Sequence, residues 1–463
     1  MSFFLKENNS IPNQMEKLEY ERPIINKVNA GMPDKFGMST RVPVMSHIEE
    51  VAIKDIMDQY GSPLYVISEP CIRNTYRQAQ KAFASRYPRV QFAWSYKTNY
   101  LNAVCKIFHS EGAWAEVVSG FEYSKAVENG ISGDQIIFNG PEKSKADLER
   151  AINDGAMVHL DSLDEFYFLG ELAQNLNKKA KVALRINLDA GIYPQWDRFG
   201  FNLENGEAWH VLTRVMLHDY MELLGLHTHM GTYITAVSAY AIAAKKMADL
   251  AIRLFRKFNH SVKYLDLGGG FASKNTLKGA YLPGSDTCPS FDDYAEALTS
   301  ALLASELPPE RLPLLILECG RALVDDAGFI LGRVLANKRL VDGRRATVID
   351  VGVNMLFTSF WYEHDVLPTR LKSEQTENTT IYGPLCMNID VIREAVQFPL
   401  LQRGDAVVIP RIGAYNMTQW MQFIKLRPPV LLIDEDRKVH LIRKQETYEQ
   451  FNAMETIPEH LKT

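Results

Sequence analysis

The chain has 463 residues, which is enough for two domains with separate cores. Its net charge of −5 and pI near 6.2 argue against a general nucleic-acid binder, and no apolar run is long enough to predict a membrane span. The five cysteines are scattered and form no CxxC pair, which indicates a reduced, cytoplasmic protein without a zinc site or a disulfide framework. The start, MSFFLKENNSIPNQ, lacks the features of a signal peptide.

Along the chain, residues 1–45 are polar and irregular, and we predict a partly ordered N-terminal extension there. The run PLYVI, 63–67, predicts a strand. From about residue 90, eight apolar runs alternate with amphipathic helical segments. These runs are QFAWSYK (91–97), WAEVV (114–118), QIIFN (135–139), MVHLD (157–161), KVALRIN (181–187), LLGLHTH (223–229), VKYLDL (262–267) and PLLILE (313–318). The alternation indicates parallel strands with helices outside, and eight units indicate a closed barrel of the α/β class.

After about residue 335 the pattern changes to short β-rich segments with few helices between them. We therefore predict a barrel domain over 75–335 and a β domain that combines 46–74 with 336–463. The polar run KSEQTENTT, 372–380, predicts an exposed loop.

Polar or ionisable residues follow nearly every predicted barrel strand. In a barrel of this kind the chemistry lies at the carboxyl ends of the strands. The strand-end residues are Lys97, Ser119, Asn139, Asp161, Arg185, Asn187, His229, Gly268 and Glu318. Such a concentration of polar groups at one end predicts an active site there.

Four of these strand ends predict a specific ligand. The glycines at 268–270 in LDLGGGFA can form a phosphate-binding nest, and ECGR supplies the carboxylate of Glu318 beside Arg321. Taken singly, the glycines also fit a tight turn, Lys97 a surface lysine and His229 a structural histidine. Together, an amine, a phosphate nest, a carboxylate and a flat imidazole match the needs of pyridoxal 5'-phosphate.

From about residue 55 to 450 the chain resembles the fold-type III pyridoxal-phosphate amino acid decarboxylases. It resembles the diaminopimelate decarboxylases and, more distantly, ornithine decarboxylase. The motifs come in the family's order: SYKTN, AEVVSGFE, LRIN, HTHMGTY, LDLGGG, ECGR, YGPLCMNID and GAYNMTQ. The resemblance implies an alanine racemase-like (β/α)8 TIM barrel with a C-terminal β-rich domain. It also implies decarboxylation of an amino acid, at an L- or D-centre, to an amine and CO2.

The resemblance further assigns residue roles. Lys97 would bond covalently to the cofactor, and Cys386 would be the catalytic proton donor. The implied cofactor-binding residues are Lys97, Glu116, Arg185, His229, Thr232, Gly268, Gly269, Gly270, Glu318, Gly320, Arg321 and Tyr415. Glu318 would meet the pyridine nitrogen, and His229 would stack on the ring. The family also implies a homodimer in which Cys386 of the partner subunit reaches the cofactor.

The substrate side of the motifs departs from the diaminopimelate decarboxylases. Where they carry an arginine for the far carboxylate, the segment NMLFTSFWY has Thr358, and where they carry an acidic residue after the cysteine, this chain has Met387. Both changes remove charge, so we expect that diaminopimelate is not recognised. The predicted substrate contacts are Arg321, Thr358, Tyr362, Glu363 and Met387.

Other substrates and functions stay open at this stage. Glu363 in WYEHD resembles the acidic residue with which ornithine decarboxylase binds a distal amine. A basic amino acid such as lysine or ornithine is therefore one alternative substrate. An uncharged, modified or carrier-bound amino acid is the other alternative. A racemase is disfavoured by the GPLC and GAYN segments, and a non-catalytic regulatory homologue by the presence of Lys97 and Cys386.

Overall fold

The computed structural model describes residues 42–373 and 375–462. The predicted extension at 1–45 lies almost wholly outside these residues, so its order stays a prediction. Each helix of the described ranges is too short or too polar to cross a lipid bilayer.

Eight parallel strands form a closed barrel, as predicted. Each strand pairs with the next along the chain, and the eighth pairs with the first. In order, the barrel strands are Val90–Ser95, Trp114–Val117, Ile136–Phe138, Met157–Leu160, Ala180–Asn187, Met221–His227, Tyr264–Asp266 and Leu314–Leu317. A further strand of two residues, Phe201–Asn202, pairs with the fifth barrel strand. The apolar runs of the sequence are therefore the barrel wall.

Amphipathic helices surround the barrel and begin at recognisable caps. The side chains of Ser119, Ser144 and Ser162 each accept a hydrogen bond from a backbone N–H of the first turn. The longer helices are Glu69–Ala84, Asn102–Ser110, Gly120–Glu128, Lys145–Asp154, Leu163–Asn175, Glu207–Met216, Ser238–Phe258 and Phe291–Leu303. The shorter helices are Ile53–Tyr60, Gly284–Thr287, Arg321–Val324 and Tyr448–Asn452.

A second sheet combines residues from both sides of the barrel. Leu64–Ser68 lies between Gly328–Arg339, its antiparallel partner, and Val430–Ile433, its parallel partner. The other strands of this sheet are Arg345–Ile349, Leu367–Pro368, Thr376–Tyr382, Val391–Pro399, Ala406–Pro410 and Val439–Arg443. The predicted β-rich region is thus confirmed. Its sheet begins at Gly328, before the predicted boundary at 336, and the domain boundaries themselves stay a prediction.

One local prediction is wrong. The run at 372–380 is not a loop throughout, because Thr376–Tyr382 is a strand that pairs with Arg345–Ile349 and with Val391–Pro399. Thr379 and Thr380 are buried in it. Threonine is β-branched and favours a pleated strand, and this preference outweighs the polarity that suggested solvent exposure.

Candidate active site

A cavity of about 220 Å3 opens at the carboxyl ends of the barrel strands. Several residues that the sequence singled out line it together: Lys97, His229, Thr232, Gly270, Glu318, Gly320, Arg321 and Tyr415. A larger cavity of about 550 Å3 lies between the helices Glu69–Ala84 and Phe291–Leu303 and is lined by other residues. Since the reactive groups converge in the smaller cavity, we take it as the site.

Lys97 follows the first barrel strand in a short turn, Tyr96–Thr98. Its Nζ lies 2.8 and 2.6 Å from the two carboxylate oxygens of Glu116, a fully buried residue. Burial lowers the pKa of Lys97, but the carboxylates of Glu116 and Glu318 outweigh this effect and raise the pKa above its usual value. Lys97 is therefore an ammonium group here, and Glu116 is placed to accept its proton before the amine reacts.

Asn139, from the third barrel strand, joins the two buried carboxylates. Its Nδ2 donates hydrogen bonds to Oε1 of Glu116 at 3.1 Å and to Oε1 of Glu318 at 2.5 Å. Burial tends to raise the pKa of Glu318, but the charge of Lys97 outweighs it, and the pKa lies below the usual value. The floor of the cavity thus offers an ionised carboxylate.

His229 follows the sixth barrel strand and presents a neutral imidazole. Its Nδ1 accepts a hydrogen bond from the backbone N–H of Gly269 at 3.1 Å. Burial, with the positive charges of Arg185 and Lys97, lowers the pKa of His229 to about 3. The ring of Trp196 lies 5.8 Å away, centroid to centroid. A neutral, flat ring at the cavity wall can pack on a heteroaromatic ligand without adding charge.

The glycine loop after the seventh strand packs too closely for any side chain. A Cβ atom at Gly269 would lie 2.2 Å from the carbonyl oxygen of Glu318, and one at Gly270 would lie 2.3 Å from that of Gly231. The hydroxyl of Tyr240 donates a hydrogen bond to the carbonyl of Gly269 at 2.8 Å and so holds the loop from the helix side. The backbone N–H groups of Gly268 and Gly269 donate to Asp266 and His229, so the N–H of Gly270, which lines the cavity, is the loop group placed to meet an anion.

Arg321 is buried at the cavity wall, and part of its guanidinium is free to donate hydrogen bonds to a ligand. Its Nη2 donates to the hydroxyl of Thr232 at 3.3 Å, and its guanidinium carbon lies 4.7 Å from the ring centre of Tyr415. Its Nη1 is buried and has no hydrogen-bond partner among residues 42–373 and 375–462. A Cβ at the neighbouring Gly320 would lie 2.1 Å from Oγ1 of Thr98, so this turn and the lysine turn are in direct contact.

Arg185, Gly268 and Gly269 are not among the residues that line the cavity. Nη1 of Arg185 donates to Asp161 at 3.2 Å, and its guanidinium packs 4.4 Å from the ring of Phe199. Arg185 thus adds positive charge to the site and shapes it from the barrel side.

The predicted substrate contacts are more scattered. Thr358 is buried, with its hydroxyl 2.8 Å from His364 Nε2 and 3.0 Å from Asn416 Oδ1. Tyr362 is also buried, and its ring centre is 5.4 Å from the guanidinium of Arg321. Glu363 lines a separate cavity of about 320 Å3.

Cys386 is exposed, and neither it nor Met387 lines the cavity of its own chain. Both lie in the loop between Thr376–Tyr382 and Val391–Pro399. Asp390 fixes this loop because its carboxylate accepts hydrogen bonds from the backbone of Val353 and Leu385. The loop therefore presents Cys386 to the outside of the subunit.

Sequence reasoning missed several site residues. Trp196 and Trp361 line the cavity, and nothing in their local pattern indicated this. Asn139 stood out only as a polar strand end. His227 and Asp266 are the last residues of their strands, and their positions next to predicted site residues were the signal that could have identified them.

The residues present fit pyridoxal phosphate. The cofactor carries an aldehyde, a phosphate and a ring nitrogen, and the cavity offers an amine, an anion site and a carboxylate. The unpartnered Nη1 of Arg321 and the tight glycine loop suit the phosphate. Lys97 suits the aldehyde, and Glu318 suits the protonated ring nitrogen.

The glycine loop gives a direct test. We expect Gly270→Ala to lower the free energy of unfolding by about 1–3 kcal/mol more than Gly279→Ala, because only the first substitution forces a Cβ against backbone. Both glycines have positive φ, 93° and 77°, but Gly279 has no atom within 4 Å of its added Cβ. Thermal unfolding of both variants measures this. Equal losses would contradict the packing described for the loop.

Comparison with known proteins identifies the family of the chain. Residues 72–325 match the family model of the pyridoxal-dependent decarboxylases, pyridoxal binding domain. The diaminopimelate decarboxylase of Methanocaldococcus jannaschii is 28% identical over 422 residues, which cover 88% of this chain and 94% of that protein. A crystal structure of that enzyme matches with a TM-score of 0.83 over 91% of this chain and 98% of its own.

A second solved structure extends the likeness of fold. Lysine/ornithine decarboxylase from Vibrio vulnificus, complexed with putrescine, matches with a TM-score of 0.70 at 20% identity, over 83% of this chain and 98% of its own. The family model itself spans more than half of the chain. The chain therefore belongs to the pyridoxal-dependent decarboxylases and is an amino acid decarboxylase whose cofactor is pyridoxal 5'-phosphate.

Proposed function

We propose that this enzyme decarboxylates an amino acid other than diaminopimelate, one whose distal part is uncharged or modified. The observation that carries the proposal is Thr358, which stands where the diaminopimelate decarboxylases have an arginine for the far carboxylate. Its side chain is 1% exposed, so the position offers neither a cation nor a free donor to a ligand.

The two side chains bonded to Thr358, those of Asn416 and His364, are neutral as well. The backbone N–H and the hydroxyl of Thr358 both lie within hydrogen-bond distance of Oδ1 of Asn416. Burial, aided by the charge of Arg411, lowers the pKa of His364 to about 3, so its imidazole is uncharged. A distal carboxylate would lose its hydration here without gaining a charged partner, which disfavours diaminopimelate.

The position of Glu363 gives little support to a basic substrate. Its carboxylate lies 3.7 Å from Arg393 and borders a different cavity from that of Lys97. Trp196 and Trp361 are among the residues that line the Lys97 cavity. Aromatic walls favour an apolar or extended group, such as a modified or carrier-bound side chain.

The roles of the chain's own residues follow from the site. When bound, pyridoxal phosphate accepts the electron pair that the departing carboxylate leaves. Lys97 holds the cofactor and yields to the substrate amine, and Glu116 takes up the lysine proton. Glu318 and His229 hold the ring at its nitrogen and its face. Cys386 donates a proton to the α-carbon.

The proton donor implies a homodimer. Since Cys386 is exposed and stands outside the cavity of its own subunit, we propose that each cavity is completed by Cys386 of the partner subunit. Met387, beside it, would then border the distal end of the substrate with an apolar side chain.

The substrate is identified by the amine that forms. We would incubate the full-length holoenzyme with diaminopimelate, lysine, ornithine, arginine, acidic and neutral amino acids, and modified or carrier-linked amino acids, and detect products by mass spectrometry. Amine from a neutral or linked amino acid, with none from diaminopimelate, is the expected result. Turnover of diaminopimelate at a rate typical of enzymes, about 1–10³ s⁻¹, would overturn the proposal.

A matched pair of variants tests the place of Glu363. Glu363→Gln and Glu394→Gln each remove one carboxylate from the same separate cavity. We expect both variants to have the same KM as the parent enzyme for the substrate that it decarboxylates. A KM for lysine or ornithine that rises only in Glu363→Gln would identify Glu363 as a substrate contact and the enzyme as a basic amino acid decarboxylase.

A further inference from the structure

Three buried side chains face Glu318 from inside the barrel: His159, His227 and Asp266. They come from the fourth, sixth and seventh strands and are at most 1% exposed. One oxygen or nitrogen atom of each lies within 4.8 Å of the others and of a carboxylate oxygen of Glu318. No role in the site described above requires this cluster, so its chemistry calls for an explanation.

The hydrogen bonds of Asp266 leave one oxygen without a donor. Its Oδ1 accepts from the backbone N–H of Gly268 at 2.8 Å, but its Oδ2 is buried and no donor reaches it in the part of the chain that the structure describes. Glu318 already accepts from Asn139 through Oε1. Two ionised carboxylates within 4.8 Å of each other inside the barrel would repel each other, and the orphaned oxygen of Asp266 would stay unpaired.

We infer that Asp266 is protonated and donates a hydrogen bond from Oδ2 to Glu318, which holds Glu318 as a carboxylate directed at the ring nitrogen of the cofactor. One shared proton removes the repulsion and satisfies the orphaned oxygen at once. Burial and then the charge of Glu318 raise the pKa of Asp266 well above its usual value, which agrees with the geometry. Nε2 of His227 also lies near this carboxylate, 3.4 Å from Oε2 of Glu318, without a hydrogen bond to it.

A divalent metal ion is the competing explanation, since two imidazoles and two carboxylates can bind one. Lys143 and Arg185 lie beside the cluster, but each is paired with a carboxylate, Lys143 with Glu165 at 2.6 Å and Arg185 with Asp161 at 3.2 Å. A proton needs only Asp266 and Glu318, whereas a metal ion needs ligands from several of the four side chains at once, and the metal content of the holoenzyme separates the two.

This role makes Asp266 a positioning residue, and it rests on the proposed place of Glu318 beside the ring nitrogen. Asparagine has the shape of a protonated aspartic acid, with a donor at the same end. Asp266→Asn should therefore preserve the hydrogen bond to Glu318, whereas Asp266→Leu keeps the branched shape, at a larger volume, and removes the donor.

The test compares two cofactors on full-length enzyme freed of bound cofactor: pyridoxal phosphate and its 1-deaza analogue, which has carbon in place of the ring nitrogen. We expect Asp266→Leu to weaken the binding of pyridoxal phosphate about tenfold or more and to leave the binding of the analogue unchanged. Asp266→Asn should bind both like the parent enzyme. A loss of fit in the glycine loop would weaken both cofactors alike, so the difference between them isolates the ring nitrogen.

Each outcome bears on one of the two claims. If Glu318→Gln affects both cofactors equally, the proposed place of Glu318 fails. If Glu318→Gln is selective for pyridoxal phosphate but Asp266→Leu is not, only the role of Asp266 fails. Selective weakening by Asp266→Asn would show that Asp266 acts as an anion. If the holoenzyme contains one equivalent of metal and Asp266→Asn does not, the cluster binds a metal ion and the shared proton is ruled out.

Discussion

Lys97→Ala is expected to stop amine formation, with a loss of roughly 10³-fold or more in turnover. Lys97 is the amine at the centre of the cavity, 2.6 Å from Glu116, which is placed to take its proton. No other lysine lines this cavity among the described residues. The variant should also lose the covalent bond to the cofactor, which borohydride reduction and intact-mass measurement detect without any substrate.

Lys106→Ala is the matched control. Lys106 lies on the helix Asn102–Ser110, is exposed and is not part of the cavity. We expect this variant to keep both the reducible bond and the activity. A Lys97→Ala protein that still carries the cofactor covalently would show that another amine forms the bond, and the assignment of the site would have to change.

Mixing two inactive variants is expected to restore activity. If Cys386 acts in the cavity of the neighbouring subunit, Lys97→Ala and Cys386→Ala should each be nearly inactive alone. When they are unfolded or dissociated together and allowed to re-form dimers, half of the dimers are mixed, and each mixed dimer has one intact site. The expected recovery is about a quarter of the parent activity.

The outcome depends on which subunit supplies the thiol. If Cys386 served its own cavity, a mixed dimer would contain no intact site and activity would not return. Re-formed dimers of each single variant provide the baseline. Sedimentation or light scattering confirms that the mixed samples contain dimers, so that a failure to associate is not read as a failure of the site.

The barrel could be predicted because its signals are local. Each strand is a short apolar run, and helices such as Lys145–Asp154 begin at a capping serine and end at a glycine, here Gly155 with φ 72°. The active-site residues at strand ends follow from the barrel geometry, since parallel strands bring their carboxyl ends together. Lys97 and Glu318 are 221 positions apart in number, yet both lie at this end.

What the sequence did not reveal depends on distant contacts. Asp266 looked like part of a glycine motif until the structure brought it against Glu318. Thr358 is buried and bonded to His364 and Asn416, contacts that its local sequence did not indicate. Thr376–Tyr382 became a strand only because Arg345–Ile349 and Val391–Pro399 flank it. Such partners are chosen by tertiary packing, which no local pattern encodes.

The strand Leu64–Ser68 also sets an order of events during synthesis on the ribosome. It leaves the exit tunnel early, yet its neighbours Gly328–Arg339 and Val430–Ile433 lie about 260 and 360 residues later. At about 5–20 residues per second, the first of them is made only after some tens of seconds. Through that interval five residues, all buried in the finished protein, have no sheet to join. The nascent chain is therefore most exposed to wrong pairing and to chaperone binding while its barrel is being made.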